Sequence, residues 1–202
     1  CFFGAPVEND HPYHACLSAL GMMEELKELK SELTDSTFKN IDISIGVNTD
    51  TVTVGNIGSD DLFDYKAIGD GMNLASRLEG LNKYYGTNIL VSGSTYDKVK
   101  ERFIFRELDE VSVKGKNLPV RMYELLGKAG DDLEAEVSDK CMKYCEALIL
   151  YKKGDFSKAG DIFETIAGKY NDASSKLMSE RCRILKEDPP QSGKGVWKMD
   201  AK

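Results

Sequence analysis

The chain has 202 residues, 41% of them apolar and 30% charged, with a formal net charge of −7. This composition suits one globular domain with a small appendage. The acidic balance argues against a nucleic-acid backbone as the main partner, because that calls for clustered Lys and Arg.

No apolar run approaches the ~20 residues of a membrane span, and no charged-then-apolar leader is visible. The five cysteines, Cys1, Cys16, Cys141, Cys145 and Cys182, are odd in number and form no regular framework, which fits a reducing compartment. Cys141 and Cys145 read as two buried thiols, since metal sites use tighter spacing and further ligands. His11 and His14 lack companions for a metal site and sit where a helix should start.

Cys1-Phe2-Phe3 is a strand-like run that Gly4-Ala5-Pro6 ends. A domain rarely begins in mid-strand, so residue 1 reads as a cut, with more of the fold expected upstream. Asp10 and Pro12 signal a helix start. The helix is predicted from about Pro12 to Leu33, with Ala15, Ala19, Met22, Met23, Leu26 and Leu29 facing a core.

Residues 41–57 switch to period two. Ile41, Ile43, Ile45 and Val47 alternate with polar or small residues, and Val52 and Val54 follow Asn48-Thr49-Asp50-Thr51. The pattern predicts a β-hairpin with a polar turn.

Asp70 reads as the N-cap of a helix that buries Leu74, Ala75, Leu78 and Leu81. Asn73 and Arg77 project from one side of it, one turn apart. An amide can hold a ribose oxygen and a guanidinium can stabilise charge on a reacting phosphate. Taken alone, the pair equally suits a solvated helix surface. After Gly86 come a buried strand at 89–91, a helix at 94–102 and a strand pair at 103–113 and 120–126. Between those two strands lies Lys114-Gly115-Lys116. A basic pair around Gly can reach a phosphate, or it can be an ordinary charged turn.

In combination these segments are specific. Phe2-Phe3-Gly4-Ala5-Pro6-Val7 is followed by Ile45-Gly46-Val47, Val54-Gly55-Asn56-Ile57-Gly58, and the run Asp64 to Glu79. Then come Val91-Ser92, Val113-Lys114-Gly115-Lys116 and Tyr123-Glu124-Leu125. The series resembles the class III adenylate and guanylate cyclase catalytic domain over residues 1–127. The resemblance implies an α+β fold, an antiparallel-rich sheet flanked by helices, and a homodimer with active sites between the subunits. It implies a nucleotide cyclase acting on ATP, giving 3′,5′-cyclic AMP and pyrophosphate in signal transduction. Asn73 matches the family's ribose-orienting asparagine, Arg77 its transition-state arginine and Lys114 the lysine on the terminal phosphates. Two metal ions, Mg²⁺ or Mn²⁺, would activate the hydroxyl and hold the phosphates.

Three departures qualify the match. The family's metal-binding aspartates and a base-reading lysine would fall upstream of Cys1, so this chain alone is expected to be an incomplete catalyst. The other base-reading position is Lys66, where bacterial adenylate cyclases often carry Thr or Asp. A charged lysine donates but does not accept, so Lys66 either reads the base differently or points away, towards Asp64. Asp50 stands where the family often has Gly, with little expected effect.

Residues 133–202 form a different unit, predicted as a C-terminal all-helical segment: a helix from Glu134 to Tyr151, a second from Ser157 to Tyr170, a third at about 173–186. The first two resemble one tetratricopeptide-type repeat, which cannot bury its own face and should pack on the third helix and the preceding domain. Cys182 and Ile184 would be core. Pro189-Pro190 and Trp197 resemble the close of some bacterial membrane-anchored cyclases, with Trp197 as a packing anchor. The expected location is cytoplasmic, with any membrane anchor upstream. Two further readings remain open: a catalytically silent cyclase-like dimerisation or regulatory module, and a guanylate cyclase.

Overall fold

A computed structural model describes residues 1–5, 9–33, 41–59, 62–113, 118–190 and 195–199. In chain order the elements are α1 (His11–Glu32), β1 (Ile45–Val47), β2 (Thr53–Ser59), β3 (Leu62–Ile68), α2 (Asp70–Tyr85), β4 (Ile89–Ser92), α3 (Gly93–Val99), β5 (Phe103–Val113), β6 (Val120–Lys128), α4 (Ala135–Lys152), α5 (Phe156–Tyr170), α6 (Ala173–Glu187) and β7 (Trp197–Met199). This is the α+β architecture, a sheet flanked by helices.

The main sheet has the order β1-β4-β6-β5-β7, and β2 with β3 forms a separate two-stranded ribbon. β4, β6 and β5 run antiparallel to their neighbours among themselves, while β1 joins β4, and β7 joins β5, in parallel. The expected hairpin over 41–57 is therefore two unrelated strands. Ile45 lies opposite Ile89 in β4, whereas Thr53 lies opposite Ile68 in β3. Cys1-Phe2-Phe3 is not a strand: no strand lies beside it among the described residues, and a strand needs a ladder partner for its N–H and C=O groups.

Alternation along β4 divides the interior into two cores. Ile89 and Val91 face Cys16 and Ala19 of α1, with Val99 of α3 and Phe103 of β5. Leu90 faces the other way, into a cluster with Leu78 and Tyr85 of α2 and Tyr144, Phe163 and Met178 of the C-terminal helices. Burying each such large side chain contributes about 1.5–3 kcal/mol.

α1 shows its core stripe less cleanly than its spacing suggested. Ala19 is buried and Met23 packs at the edge, but Met22 and Leu29 are exposed. The N-cap of α2 is Gly69, with Asp70 as the first helical residue. There the carboxylate favours the positive end of the helix dipole. α2 ends at Gly86, whose φ of 66° is the left-handed conformation that suits glycine.

The C-terminal segment covers one face of the sheet. α5 contacts both α4 and α6, and α6 reaches α2. It closes in a strand rather than helix throughout, since β7 pairs with the end of β5. Cys182 is buried as expected, but Ile184 is exposed. Cys141 is half-buried and Cys145 exposed, so neither is the fully buried thiol that the sequence suggested. No described helix is long and apolar enough to cross a membrane.

Candidate active site

α2 places the two central residues. Its apolar positions Leu74, Leu78 and Leu81 dock on the sheet, so the neighbouring positions Asn73 and Arg77 come to the border of the buried face. Asn73 is exposed and Arg77 half-buried. Neither side chain has a hydrogen bond or ion pair among the described residues.

The helix lies close to the sheet because β1 carries Gly46. A Cβ there would stand 2.1 Å from the Ala75 carbonyl oxygen and 2.4 Å from the Glu79 nitrogen. The N-terminal turn is tied down by the loop after β1. Asn48 Nδ2 donates to the Gly71 carbonyl at 2.9 Å, and Asp50 Oδ1 accepts from Thr51 N at 2.8 Å. The same loop is fixed to α3, where Ser94 Oγ donates to the Thr49 carbonyl at 2.7 Å. The aspartate at position 50 thus serves the turn through its own side chain, as its tolerance of turn geometry predicts.

Between this loop, Leu74 of α2, the start of α3, Leu118-Pro119 and the first residues of β6 lies a groove of about 300 Å³. Lys114, Gly115 and Lys116 fall outside the described residues. Their flanks are placed: Val113 ends β5, and Leu118 lines the groove.

Lys66 sits in the β2–β3 ribbon, opposite Gly55. Its Nζ is 3.0 Å from Asp64 Oδ2, and both side chains are more than half exposed. That is the second of the two orientations open from the sequence. The two implied divalent ions find no ligand set here: no group of three or more His, Cys, Asp or Glu able to hold a metal lies among the described residues.

One cluster escaped the sequence reading. Tyr85 ends α2, Asp109 lies in β5 and Arg181 in α6, and the three meet in the core. Little in the sequence signals it, since Asp109 stands among Arg106, Glu107 and Glu110 in a strand of mixed character, and Arg181 lies beside the buried Cys182.

The fold is an α+β sheet flanked by helices, with Leu74 of α2 on the groove and Asn73 and Arg77 outside its lining. The sequence model of the family described as Adenylate and Guanylate cyclase catalytic domain matches residues 1–127, and the chain belongs to that family. It is 37% identical over 126 residues to Adenylate cyclase 1 of Rhizobium meliloti (strain 1021), covering 62% of this chain and 19% of that protein. It is 28% identical over 173 residues to the terminal-differentiation specific adenylate cyclase of Dictyostelium discoideum, covering 84% of this chain and 8% of that protein. The second alignment is longer than the span of the family match, so it reaches into the C-terminal helices. Among solved structures, the guanylate cyclase domain of RhGC from Catenaria anguillulae in complex with GTP superposes with a TM-score of 0.51 at 32% identity, over 62% of this chain and 65% of that one. The chain thus spans less than a fifth of the length of either curated relative.

Proposed function

We propose that this chain is part of an adenylate cyclase that converts ATP to 3′,5′-cyclic AMP and pyrophosphate in signal transduction. The observation that carries the reading is Asn73 and Arg77, on successive turns of α2, both without a protein partner among the described residues. A guanidinium held at the border of a core and left unpaired is suited to an anion supplied from outside.

In the reaction the ribose 3′-oxygen bonds to the α-phosphorus as the bond from that phosphorus to the bridging oxygen of pyrophosphate breaks, and the 3′-hydroxyl proton leaves to solvent or to the departing pyrophosphate. Asn73 orients the ribose through its amide. Arg77 offsets charge that grows on the α-phosphoryl oxygens, and Lys114 holds the terminal phosphates. The chain's contribution is position and charge.

In this reading residues 1–127 supply the cyclase unit and 133–202 a helical tail with one tetratricopeptide-like pair. The protein acts as a homodimer through the cyclase unit, in the cytoplasm. Exposed Tyr65 and Ile68 on the β2–β3 ribbon suit such a contact.

A second reading, a guanylate cyclase, is favoured by Lys66 and by likeness to the Catenaria anguillulae domain. A silent regulatory module is disfavoured, since it has no physical need of an unpaired Asn73 and Arg77.

The test is turnover of ATP and GTP by the full-length protein with Mg²⁺ or Mn²⁺, beside Arg77→Ala. Loss of one charge-stabilising donor is expected to lower kcat by about 10²–10³ with little change in KM. An unchanged kcat in a folded variant returns Arg77 to the solvated surface and removes the reading.

A further inference from the structure

Arg181 occupies the meeting point of three elements. Its Nη1 is paired with Asp109 of β5, and its Nη2 donates to the Tyr85 hydroxyl at 3.1 Å. That hydroxyl donates in turn to Asp109 Oδ2 at 2.6 Å. The Trp197 ring of β7 stands 4.9 Å from the guanidinium, and Met199 Sδ lies 3.5 Å from Nη2. Tyr85, Asp109 and Arg181 are each no more than 1% exposed.

A buried ion pair adds little stability over apolar residues of the same size, yet it is costly to break, because one partner is then left charged and unsolvated. What it supplies is a fixed relation among the parts it joins. Here the parts are telling. Tyr85 is the last residue of α2, and Asn73 and Arg77 lie on the same rigid helix. Ser174 Oγ of α6 also donates to the Tyr85 carbonyl, at 2.7 Å. Asp109 sits at a register shift in β5, on the strand that leads to Lys114. β7 pairs with that strand at Val111 and Val113, the last residues before Lys114. The C-terminal segment therefore holds both α2, which carries Asn73 and Arg77, and the end of β5, at points away from the groove.

We propose that Tyr85, Asp109 and Arg181 are positioning residues: a buried polar junction through which the C-terminal segment sets α2, and with it Arg77, relative to the end of β5. This rests on the cyclase reading above. A displacement of about 1 Å at a reacting centre costs up to roughly 10²-fold in rate, so a modest slip of α2 would be felt in kcat.

Full-length protein carrying Tyr85→Phe tests this, since the ring packing stays and only the bridging hydroxyl goes. Phe163→Leu, in α5, shares the core cluster but makes no hydrogen bond or ion pair of the junction, and serves as a control for thermal destabilisation. Kinetics and amide hydrogen exchange are read on both. Tyr85→Phe is expected to lower kcat about tenfold or more, with KM within about twofold, and to speed exchange in α2 and at 111–113. Phe163→Leu is expected to speed exchange in the tail alone and to keep kcat. Equal kcat losses in the two variants, or unaltered kcat in Tyr85→Phe, overturn the proposal. If the parent protein turns over neither nucleotide, the cyclase reading fails first. The exchange pattern then still decides the junction: acceleration confined to the tail overturns it.

Discussion

Arg106, midway along β5, and Asp172, the residue that caps α6, meet in a buried ion pair with Nη1 2.9 Å from Oδ1. Glu124 of β6 takes the other side of the guanidinium at 2.8 Å, and Lys140 of α4 approaches Asp172 at 3.3 Å. Asp172 also accepts from Ser175 N at 2.9 Å and from Ser175 Oγ at 2.7 Å. Burial alone would push this carboxyl up, but Arg106, Ser175 and Lys140 hold it below the usual carboxylate range.

That depression sets the direction of an acid effect. A carboxylate whose folded value is lowered stabilises fully above its unfolded value of about 3.9. The contribution is lost as pH falls through the lower, folded value. Thermal unfolding by circular dichroism should therefore show the midpoint dropping as pH falls below about 4. Asp172→Asn should flatten that dependence. At neutral pH it should itself cost on the order of 3 kcal/mol, the scale of breaking a buried pair. An acid slope that Asp172→Asn leaves intact would place the sensitivity elsewhere.

Gly46→Ala concerns the seat of α2. Its Cβ would meet backbone atoms, the Ala75 oxygen and the Glu79 nitrogen, at separations no contact tolerates. Backbone cannot rotate aside as a side-chain tip can, so α2 must lift from β1. The expected cost is 3 kcal/mol or more, at the upper end of overpacking effects (~1–3 kcal/mol), read as a lowered midpoint in urea. A variant within about 0.5 kcal/mol of the parent, the range of ordinary surface changes, would mean that α2 does not lie against Gly46.

Much of this fold was legible because local signals suffice for it. Ser157 to Tyr170 was read as a helix that the structure begins at Phe156, and 103–113 as the strand it is. Caps and apolar spacing mark such elements directly. Residues 41–57 were misread because alternation reveals a strand but not its partner. Ile45 pairs with Ile89, far along the chain, while Thr53 pairs forward with Ile68. Register of that kind is decided by packing. In the site, Asn73 and Arg77 share one helix, and their relation follows from its period. Tyr85, Asp109 and Arg181 sit on three elements, and nothing in their spacing says that they meet.

Thiol reactivity offers a check on how the C-terminal helices dock. Burial pushes the Cys16 and Cys182 thiols up to about 12. At pH 8 only roughly one part in ten thousand would be thiolate, the reactive form. Cys145 and Cys1 are exposed. Timed iodoacetamide labelling with mass spectrometry should find Cys1 and Cys145 modified first, and Cys16 and Cys182 protected until denaturant is added. Cys182 labelling as fast as Cys145 would show α6 standing off from α5.

Lys66 and Asp64 bear on which nucleotide is used. Their 3.0 Å contact lies between side chains that are 56% and 62% exposed, and exposed pairs of this kind are worth about 0–1 kcal/mol. Lys66 can therefore leave Asp64 at small cost if a purine offers a better partner. Charged, it can only donate. Guanine presents a carbonyl acceptor where adenine presents an amino donor, so contact from Lys66 favours GTP and does nothing for the adenine amino group. An unpaired buried group is also what makes a site reject the wrong ligand. With ATP selected by the rest of the site, Lys66 should hold the full-length protein's preference for ATP over GTP to a modest one. Lys66→Thr, which can accept as well as donate, should sharpen it by about three- to tenfold in kcat/KM, and Asp64→Asn, by releasing Lys66, should erode it. Competitive assays with both nucleotides measure all three. A strong ATP preference that neither substitution moves would mean that Lys66 stays with Asp64 and takes no part in reading the base.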